Sequence, residues 1–145
     1  MTMPRTIDVL LDQYSDSHRN PTNELIHIVC VPVIVFTLLG ILWSIHPAVA
    51  VVAVLAALVY YFRLSPPFAF GMLLMSAVML GLLALMPPFT VLPLSIAIFV
   101  VAWIGQFIGH KIEGKKPSFF DDLRFLLIGP LFVLGFLYRR LHVAY

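Results

Sequence analysis

Charged residues are scarce in this chain. Asp, Glu, Lys and Arg make up 11% of its 145 residues, whereas 61% are hydrophobic, and the mean hydropathy is +1.02. The apolar residues form long blocks, not the alternating or amphipathic patterns of a soluble core. A water-soluble fold of this length has no room to bury so much apolar surface. The composition therefore predicts that lipid is the solvent for most of it.

The sequence also lacks the features that mark several other classes of protein. The net charge is only +2 and the basic residues are dispersed, so we expect no nucleic acid partner. The single cysteine, Cys30, lies in an apolar run and cannot form an internal disulfide. There is no glycine-rich nucleotide motif. The residues before Asn20 carry acids and a histidine without a long apolar core, which argues against a cleavable signal peptide.

Four apolar segments are long enough to cross a bilayer. The expected transmembrane helices cover about 23–45, 47–64, 68–86 and 89–112, with prolines at every junction. Thr22 or Asn23 is expected to cap the first helix. In the third helix, four small residues predict close helix packing: Gly71, Ser76, Ala77 and Gly81.

Two flanking segments differ from these spans. Residues 4–19 place apolar side chains three and four positions apart, which predicts a short amphipathic helix against the membrane surface or the bundle. The segment 125–138 is shorter than the ~20 residues that a span needs, and it contains Gly129-Pro130. We therefore expect a broken or re-entrant segment that returns the C-terminus to the starting side. The predicted fold is an all-α, polytopic membrane helix bundle in a single domain, 1–145.

The basic residues are distributed unequally between the two ends of this bundle. The loops around His46-Pro47 and Pro87-Pro88 contain no Lys or Arg. The opposite side receives Arg5, Arg19, Arg63, Lys111, Lys115, Lys116 and Arg124. By the positive-inside rule the N-terminus is cytoplasmic. The compact form favours a bacterial inner membrane, with the endoplasmic reticulum as the eukaryotic alternative.

The polar residues of the first and fourth spans should meet at that cytoplasmic side. With four spans, the first helix begins at the face where the fourth ends. Asn23 and His27 are four residues apart and share one helix face. Gln106, His110 and Glu113 are spaced by four and three and share another. Polar groups near membrane depth are costly unless they pair, so this concentration predicts a functional site.

The residue types at this end suggest a metal centre. His18, His27 and His110 are the candidate ligands, and neutral imidazole suits Fe, Zn, Cu and Ni alike. Glu113 is either a further ligand, a group that orients a histidine, or a solvated partner of the neighbouring lysines. The candidates for holding imidazole tautomers or substrate are Asn20, Asn23 and Gln106. Lys116 either attracts an anionic head group or only obeys the positive-inside rule. We expect His46 and His142 to be interfacial or hydrogen-bonded residues.

Two stretches resemble the paired signatures of a known membrane family. They are HRNPTNELIH, from His18 to His27, and WIGQFIGHKIEGKKP, from Trp103 to Pro117. Together with Pro130-Leu131-Phe132 and the hydrophobic layout, they are similar to the 2-hydroxy fatty acid dioxygenases, a family that includes the fungal enzyme of phytosphingosine breakdown. The resemblance covers nearly the whole chain.

The resemblance implies an Fe(II)-dependent α-oxidation. A 2-hydroxy fatty acid reacts with dioxygen, loses its carboxyl carbon as carbon dioxide and leaves a fatty acid one carbon shorter. His18, His27 and His110 would then bind Fe(II), with Glu113 as a further group. A 2-hydroxy acid can chelate iron through its carboxylate and hydroxyl oxygens, so the protein need supply only a few ligands. The substrate provides the electrons, so neither 2-oxoglutarate nor a nicotinamide is needed.

Two other functions remain compatible with the residues. One is a different lipid-modifying metalloenzyme, such as a hydroxylase, desaturase or hydrolase, that uses the same histidines. The other is a non-catalytic membrane scaffold or lipid-binding protein, whose polar cluster only ties the helices together. Small residues such as Gly40, Gly71 and Gly81 also permit association into a homo-oligomer.

Overall fold

Prolines begin most of the helices in this protein. The structure, a computed structural model, describes residues 5–16, 18–114 and 127–145. Within these ranges the chain forms six α-helices and no strand, which confirms the all-α prediction. The helices are α1 Thr6–Ser15, α2 Pro21–Ile45, α3 Pro47–Leu64, α4 Pro66–Leu85, α5 Pro88–Glu113 and α6 Ile128–Arg140.

The four predicted spans are present as α2 to α5. Each is long and apolar enough to cross a membrane. Their outward side chains are apolar too: Leu25, Val52 and Leu74 are each more than 60% exposed. Such side chains are stable outside a bundle only where the solvent is lipid.

The helix starts differ from the expected ones because proline fits the first helical turn, where its missing N–H has no intrahelical partner. Helix α2 thus begins at Pro21, and Asn20 is its cap, accepting at Oδ1 from the backbone N–H of Thr22 (2.9 Å) and Asn23 (3.4 Å). The expectation that Thr22 or Asn23 caps this helix was wrong. Helices α4 and α5 likewise start at Pro66 and Pro88.

Helices α2 and α5 pack antiparallel along small residues. The added Cβ atom of an alanine at Gly105 would lie 2.9 Å from Cys30 Sγ, and one at Gly40 would overlap the Ser95 hydroxyl. In α4, the Tyr138 hydroxyl occupies the space that a Cβ at Gly71 would fill. Gly81 has no neighbouring atom within 4 Å among the described residues, so the close packing expected there is absent.

The two flanking segments lie together against the bundle. Helix α1 packs on α6 and buries Ile7 and Tyr14 completely or almost so. Helix α6 has 13 residues and is about 20 Å long, too short to cross a bilayer. Gly129 and Pro130 lie in its first turn and do not interrupt it.

The end of α6 lies beside the start of α4. The Tyr138 hydroxyl donates to the Pro67 carbonyl (2.6 Å), and the ring of Tyr145 lies 4.5 Å from that of Phe68, measured between centroids. Helix α4 starts at the same end of the bundle as α2. The C-terminus therefore returns to the starting side, as predicted. We call this end the N-terminal face.

Candidate functional site

Three histidine rings converge at the N-terminal face. His18 follows α1, His27 lies in the second turn of α2 and His110 lies in the last turn of α5. The ring centroids are 4.1 Å apart for His18 and His27, 5.2 Å for His27 and His110, and 6.0 Å for His18 and His110. None of the three residues is more than 6% exposed. Three imidazoles from separate parts of the chain thus share one buried position.

Backbone carbonyls fix the tautomer of two of these rings. His18 Nδ1 lies 2.7 Å from the carbonyl oxygen of Tyr14, and His27 Nδ1 lies 3.0 Å from that of Asn23. A carbonyl oxygen only accepts, so each Nδ1 carries the hydrogen. In the neutral ring the lone pair is then on Nε2. Histidines that bind metal through Nε2 commonly donate their other N–H to a carbonyl in this way.

The cluster fits a metal by donor type but is not a ready-made metal cage. Among the described residues, no group of three or more His, Cys, Asp and Glu side chains has the arrangement of a metal site. What the cluster supplies is a set of buried nitrogen donors, two of them in the ligating tautomer. Metal binding by His18, His27 and His110 stays a prediction that this chemistry supports.

Glu113 joins the end of α5 to the start of α2. Its Oε1 accepts from the backbone N–H of Arg19 (2.9 Å), and its Oε2 accepts from the backbone N–H of Asn20 (2.7 Å) and from Asn23 Nδ2 (3.3 Å). A carboxylate at a helix N-terminus is also favoured by the helix dipole. These contacts show that Glu113 positions the start of α2; its roles as a metal ligand and as a group that orients a histidine stay predictions.

The amide residues occupy three different places. Asn20 uses its side-chain oxygen as the cap of α2. Asn23 is fully buried between Glu113 and Gly109. Gln106 is 6% exposed on the buried side of α5, one turn before His110. Their binding of substrate stays a prediction, and Lys116 lies outside the described residues.

Two histidines were expected to lie outside the site. His46 is at the opposite end of α2, where its Nδ1 accepts from the backbone N–H of Ala48 (3.0 Å) and caps α3. His142 is exposed after α6. The expectation that His46 is a hydrogen-bonded residue outside the site is confirmed.

Arg19 forms a second, exposed contact beside the cluster. Its guanidinium donates to Asp16 Oδ1 (2.6 Å), and this hydrogen bond raises the pKa of Arg19 above its ordinary value. Both side chains are more than half exposed, so the pair adds little to stability. This charged pair is exposed to solvent and lies next to His18, at the edge of the buried cluster.

Three residues that contribute to the site were not identified as site residues from the sequence: Tyr14, Phe132 and Gly109. Tyr14 stacks on His18, with centroids 4.2 Å apart and ring planes 7° from parallel, and Phe132 lies 4.9 Å from Tyr14. Gly109 lets α5 approach α2, since a Cβ there would overlap Asn23 Oδ1 and lie 3.2 Å from His27 Cε1. The GxxxG spacing of Gly105 and Gly109 was the signal for this close approach.

An apolar cavity of about 180 Å³ lies deeper in the bundle. Its lining includes Val35, Leu39, Ala57, Met72 and Pro130. Val35 follows His27 by about two turns of α2, or roughly 12 Å along the helix axis. At the other wall, Gly129 precedes Pro130 and contacts Tyr14 and Val31. The part of the cavity that α2 lines is therefore deeper in the bundle than the histidines.

Comparisons with known proteins point to one family. The family model for 2-hydroxy-palmitic acid dioxygenase Mpo1-like proteins matches residues 5–141. The 2-hydroxy-palmitic acid dioxygenase MPO1 of Saccharomyces cerevisiae is 33% identical over 129 residues, which cover 83% of this chain and 73% of the yeast protein. No solved structure matches this chain.

Proposed function

Because this chain belongs to the 2-hydroxy-palmitic acid dioxygenase Mpo1-like family, we propose that it is a membrane dioxygenase that shortens 2-hydroxy fatty acids. One 2-hydroxy fatty acid and one dioxygen give a fatty acid one carbon shorter, carbon dioxide and water. The bond between C1 and C2 breaks, and the substrate carbons supply the electrons that reduce dioxygen. The observation that carries the proposal is the meeting of three buried imidazoles at one end of the bundle.

His18, His27 and His110 would hold the metal, which we propose is Fe(II). When bound, Fe(II) supplies the redox chemistry that activates dioxygen. The carbonyls of Tyr14 and Asn23 keep two imidazoles in the tautomer that offers Nε2. Glu113 maintains the position of Asn23 relative to α5. The rings of Tyr14 and Phe132 cover His18 and exclude water from that side.

The arrangement of the site suggests how a long-chain substrate lies in the bundle. The polar head of the fatty acid reaches the histidines at the N-terminal face, and its acyl chain extends into the apolar cavity about two turns deeper. The distribution of Lys and Arg supports the cytoplasmic side as the location of this face.

The proposal is tested by metal and product analysis. The protein is purified anaerobically in detergent, its metal is quantified, and Fe(II), dioxygen and 2-hydroxypalmitic acid labelled with ¹³C at C1 are supplied. We expect bound iron, labelled carbon dioxide and an unlabelled acid one carbon shorter, detected by mass spectrometry. Metal without a shortened acid would indicate another lipid-modifying enzyme. A folded protein with neither metal nor product after reconstitution would indicate a scaffold or lipid-binding protein.

Alanine variants assign the ligands within the same experiment. His18→Ala, His27→Ala and His110→Ala should each lose iron and at least about a hundredfold in activity, since each removes a donor from a small set. His46→Asn is the matched control, because asparagine can still cap α3 and the residue lies at the opposite end. If all three alanine variants keep full iron and activity, the assignment is wrong.

A further inference from the structure

Gln106 carries a buried acceptor whose donor is missing. Its Oε1 atom is inaccessible to solvent and has no hydrogen-bond partner among the described residues. The residue as a whole is 6% exposed. A buried polar atom left without a partner costs about 1–3 kcal/mol. Such an atom in a native fold requires an explanation, and a bound ligand is one.

The contacts of its two glycine neighbours fix the depth of Gln106. Gly105 lies against Cys30 of α2, and Gly109 lies against His27. Gln106 therefore lies between these two levels of α2, one turn deeper than His110. A ligand whose head reaches the histidines has its first carbons at this level.

At this level, helix α2 offers the amide oxygen no strong donor. Helix α2 presents mainly apolar residues beyond His27, and Cys30 has only a thiol, a weak donor. A ligand carboxylate accepts hydrogen bonds and cannot donate one, so it does not suit Oε1. A hydroxyl group donates, and a 2-hydroxy fatty acid has one on the carbon next to its carboxylate.

We propose that Gln106 is the residue that recognises the 2-hydroxyl group, with its Oε1 accepting the hydrogen bond from the substrate O–H. This inference rests on the proposed function and assigns the substrate selectivity of that same site. A site built to bond a hydroxyl disfavours the analogue that lacks it, because the protein acceptor is then left buried and unpaired. We expect the bond to contribute about tenfold or more to the preference for 2-hydroxy acids.

Binding measurements on three ligands test this role. Dissociation constants are measured anaerobically in detergent for 2-hydroxypalmitic acid, palmitic acid and 2-methoxypalmitic acid, at matched metal content. The methoxy acid keeps the oxygen on C2 but lacks the donated hydrogen. The wild-type protein should prefer the hydroxy acid over both others. In Gln106→Leu that preference should fall by about tenfold, whereas Gln106→Glu, which retains an acceptor oxygen, should keep it.

Ser95→Ala is the matched control. Ser95 is a buried polar residue on the same helix, but it lies against Gly40 near the other end, so its loss should leave the ligand preference unchanged. Gln106→Met, which is unbranched and close in size, replaces Gln106→Leu if the latter does not fold. A folded Gln106→Leu or Gln106→Met variant with the wild-type preference would overturn the proposal.

The two proposals fail separately. If the wild-type protein shortens 2-hydroxypalmitic acid while the Gln106 variants keep its preference, the dioxygenase stands and the role of Gln106 is rejected. If a Gln106-dependent preference is measured but no acid is shortened, the recognition stands and the reaction is rejected.

Discussion

At the scale of the residue, the geometry of the site depends on hydrogen bonds that keep its side chains in position. The two imidazoles of His18 and His27 are oriented by the carbonyl four residues earlier in the chain. Glu113 accepts three hydrogen bonds from the segment that begins α2. Because a carboxylate is commonly a metal ligand as well, its residue type alone leaves the role open.

Glu113→Gln separates positioning from ligation. An amide keeps one acceptor oxygen but turns its NH₂ group toward N–H donors, which should lower the stability by about 1–3 kcal/mol. Because we assign the metal to the histidines, bound iron per folded protein should stay near the wild-type level. Thermal unfolding in detergent and metal analysis measure the two effects, with Glu24→Gln as a control on a neighbouring carboxylate. Loss of iron without loss of stability would instead identify Glu113 as a ligand.

At the scale of the element, the approach of α2 and α5 decides whether their polar groups meet. Both helices are apolar around most of their circumference, so periodicity says little about which side faces the partner helix. Glycines supply that information, since they let the backbones come close. The seam runs from Gly40 with Ser95 to Gly109 with Asn23 and His27.

Gly109→Ala should damage the site through this seam. The new methyl group would overlap Asn23 Oδ1 and crowd His27, so these side chains or the helices must shift, at a cost of about 1–3 kcal/mol. We expect activity to fall more than tenfold, because a small displacement of catalytic groups has a large effect. Product formation and thermal unfolding measure both effects.

Gly81→Ala provides the comparison for that variant. No described atom lies within 4 Å of the added Cβ, and alanine favours a helix over glycine by about 1 kcal/mol. Stability should be unchanged or higher and activity unchanged. Equal losses in the two variants would mean that the effect of Gly109→Ala is not specific to the seam.

At the scale of the whole molecule, the polar site and the apolar cavity lie at different depths in the bundle. The histidines lie at the N-terminal face, and the cavity among α2, α3, α4 and α6 lies toward the middle. Helices α1 and α6 both lie at this face and pack beside the site. A fatty acid with a polar head and a long tail has the same polarity profile.

Ala57→Phe should shift the chain-length preference. Ala57 lines the cavity, so an aromatic ring there fills part of its 180 Å³. We expect kcat/KM to fall about tenfold or more for long 2-hydroxy acids and to change little for short ones, because only the long tail meets the ring. Ala56→Phe adds the same ring to a neighbouring exposed position and should have no such effect. An unchanged chain-length profile in Ala57→Phe would exclude the cavity as the acyl site.

Cysteine labelling tests the placement of the chain ends. In a Cys30→Ala background, single cysteines replace Asp8, Tyr145 or His46 in turn, and membrane vesicles are treated with an impermeant thiol reagent. Asp8→Cys and Tyr145→Cys should react from the same side, whereas His46→Cys should react from the other, because α2 separates them. Labelling of Asp8→Cys and Tyr145→Cys from opposite sides would contradict the return of α6.

The sequence alone was sufficient for the four spans, the short flanking segments and the shared end of His18, His27 and His110. The physical reason is that a bilayer fixes the length of apolar runs, and successive spans must alternate in direction. Helical spacing then places Asn23 with His27, and Gln106 with His110, on common faces. None of these inferences requires knowing how the helices are rotated.

Only the tertiary structure decided the features that depend on how each helix is rotated about its own axis. It determined that Glu113 bonds to the start of α2, that Phe132 packs on Tyr14 and His18, and that Gln106 is left with a buried acceptor. It also formed the apolar cavity among α2, α3, α4 and α6. These features arise from contacts between residues distant in sequence. In helices that are apolar on nearly every side, close packing selects the rotation, because the hydrophobic pattern favours no single face.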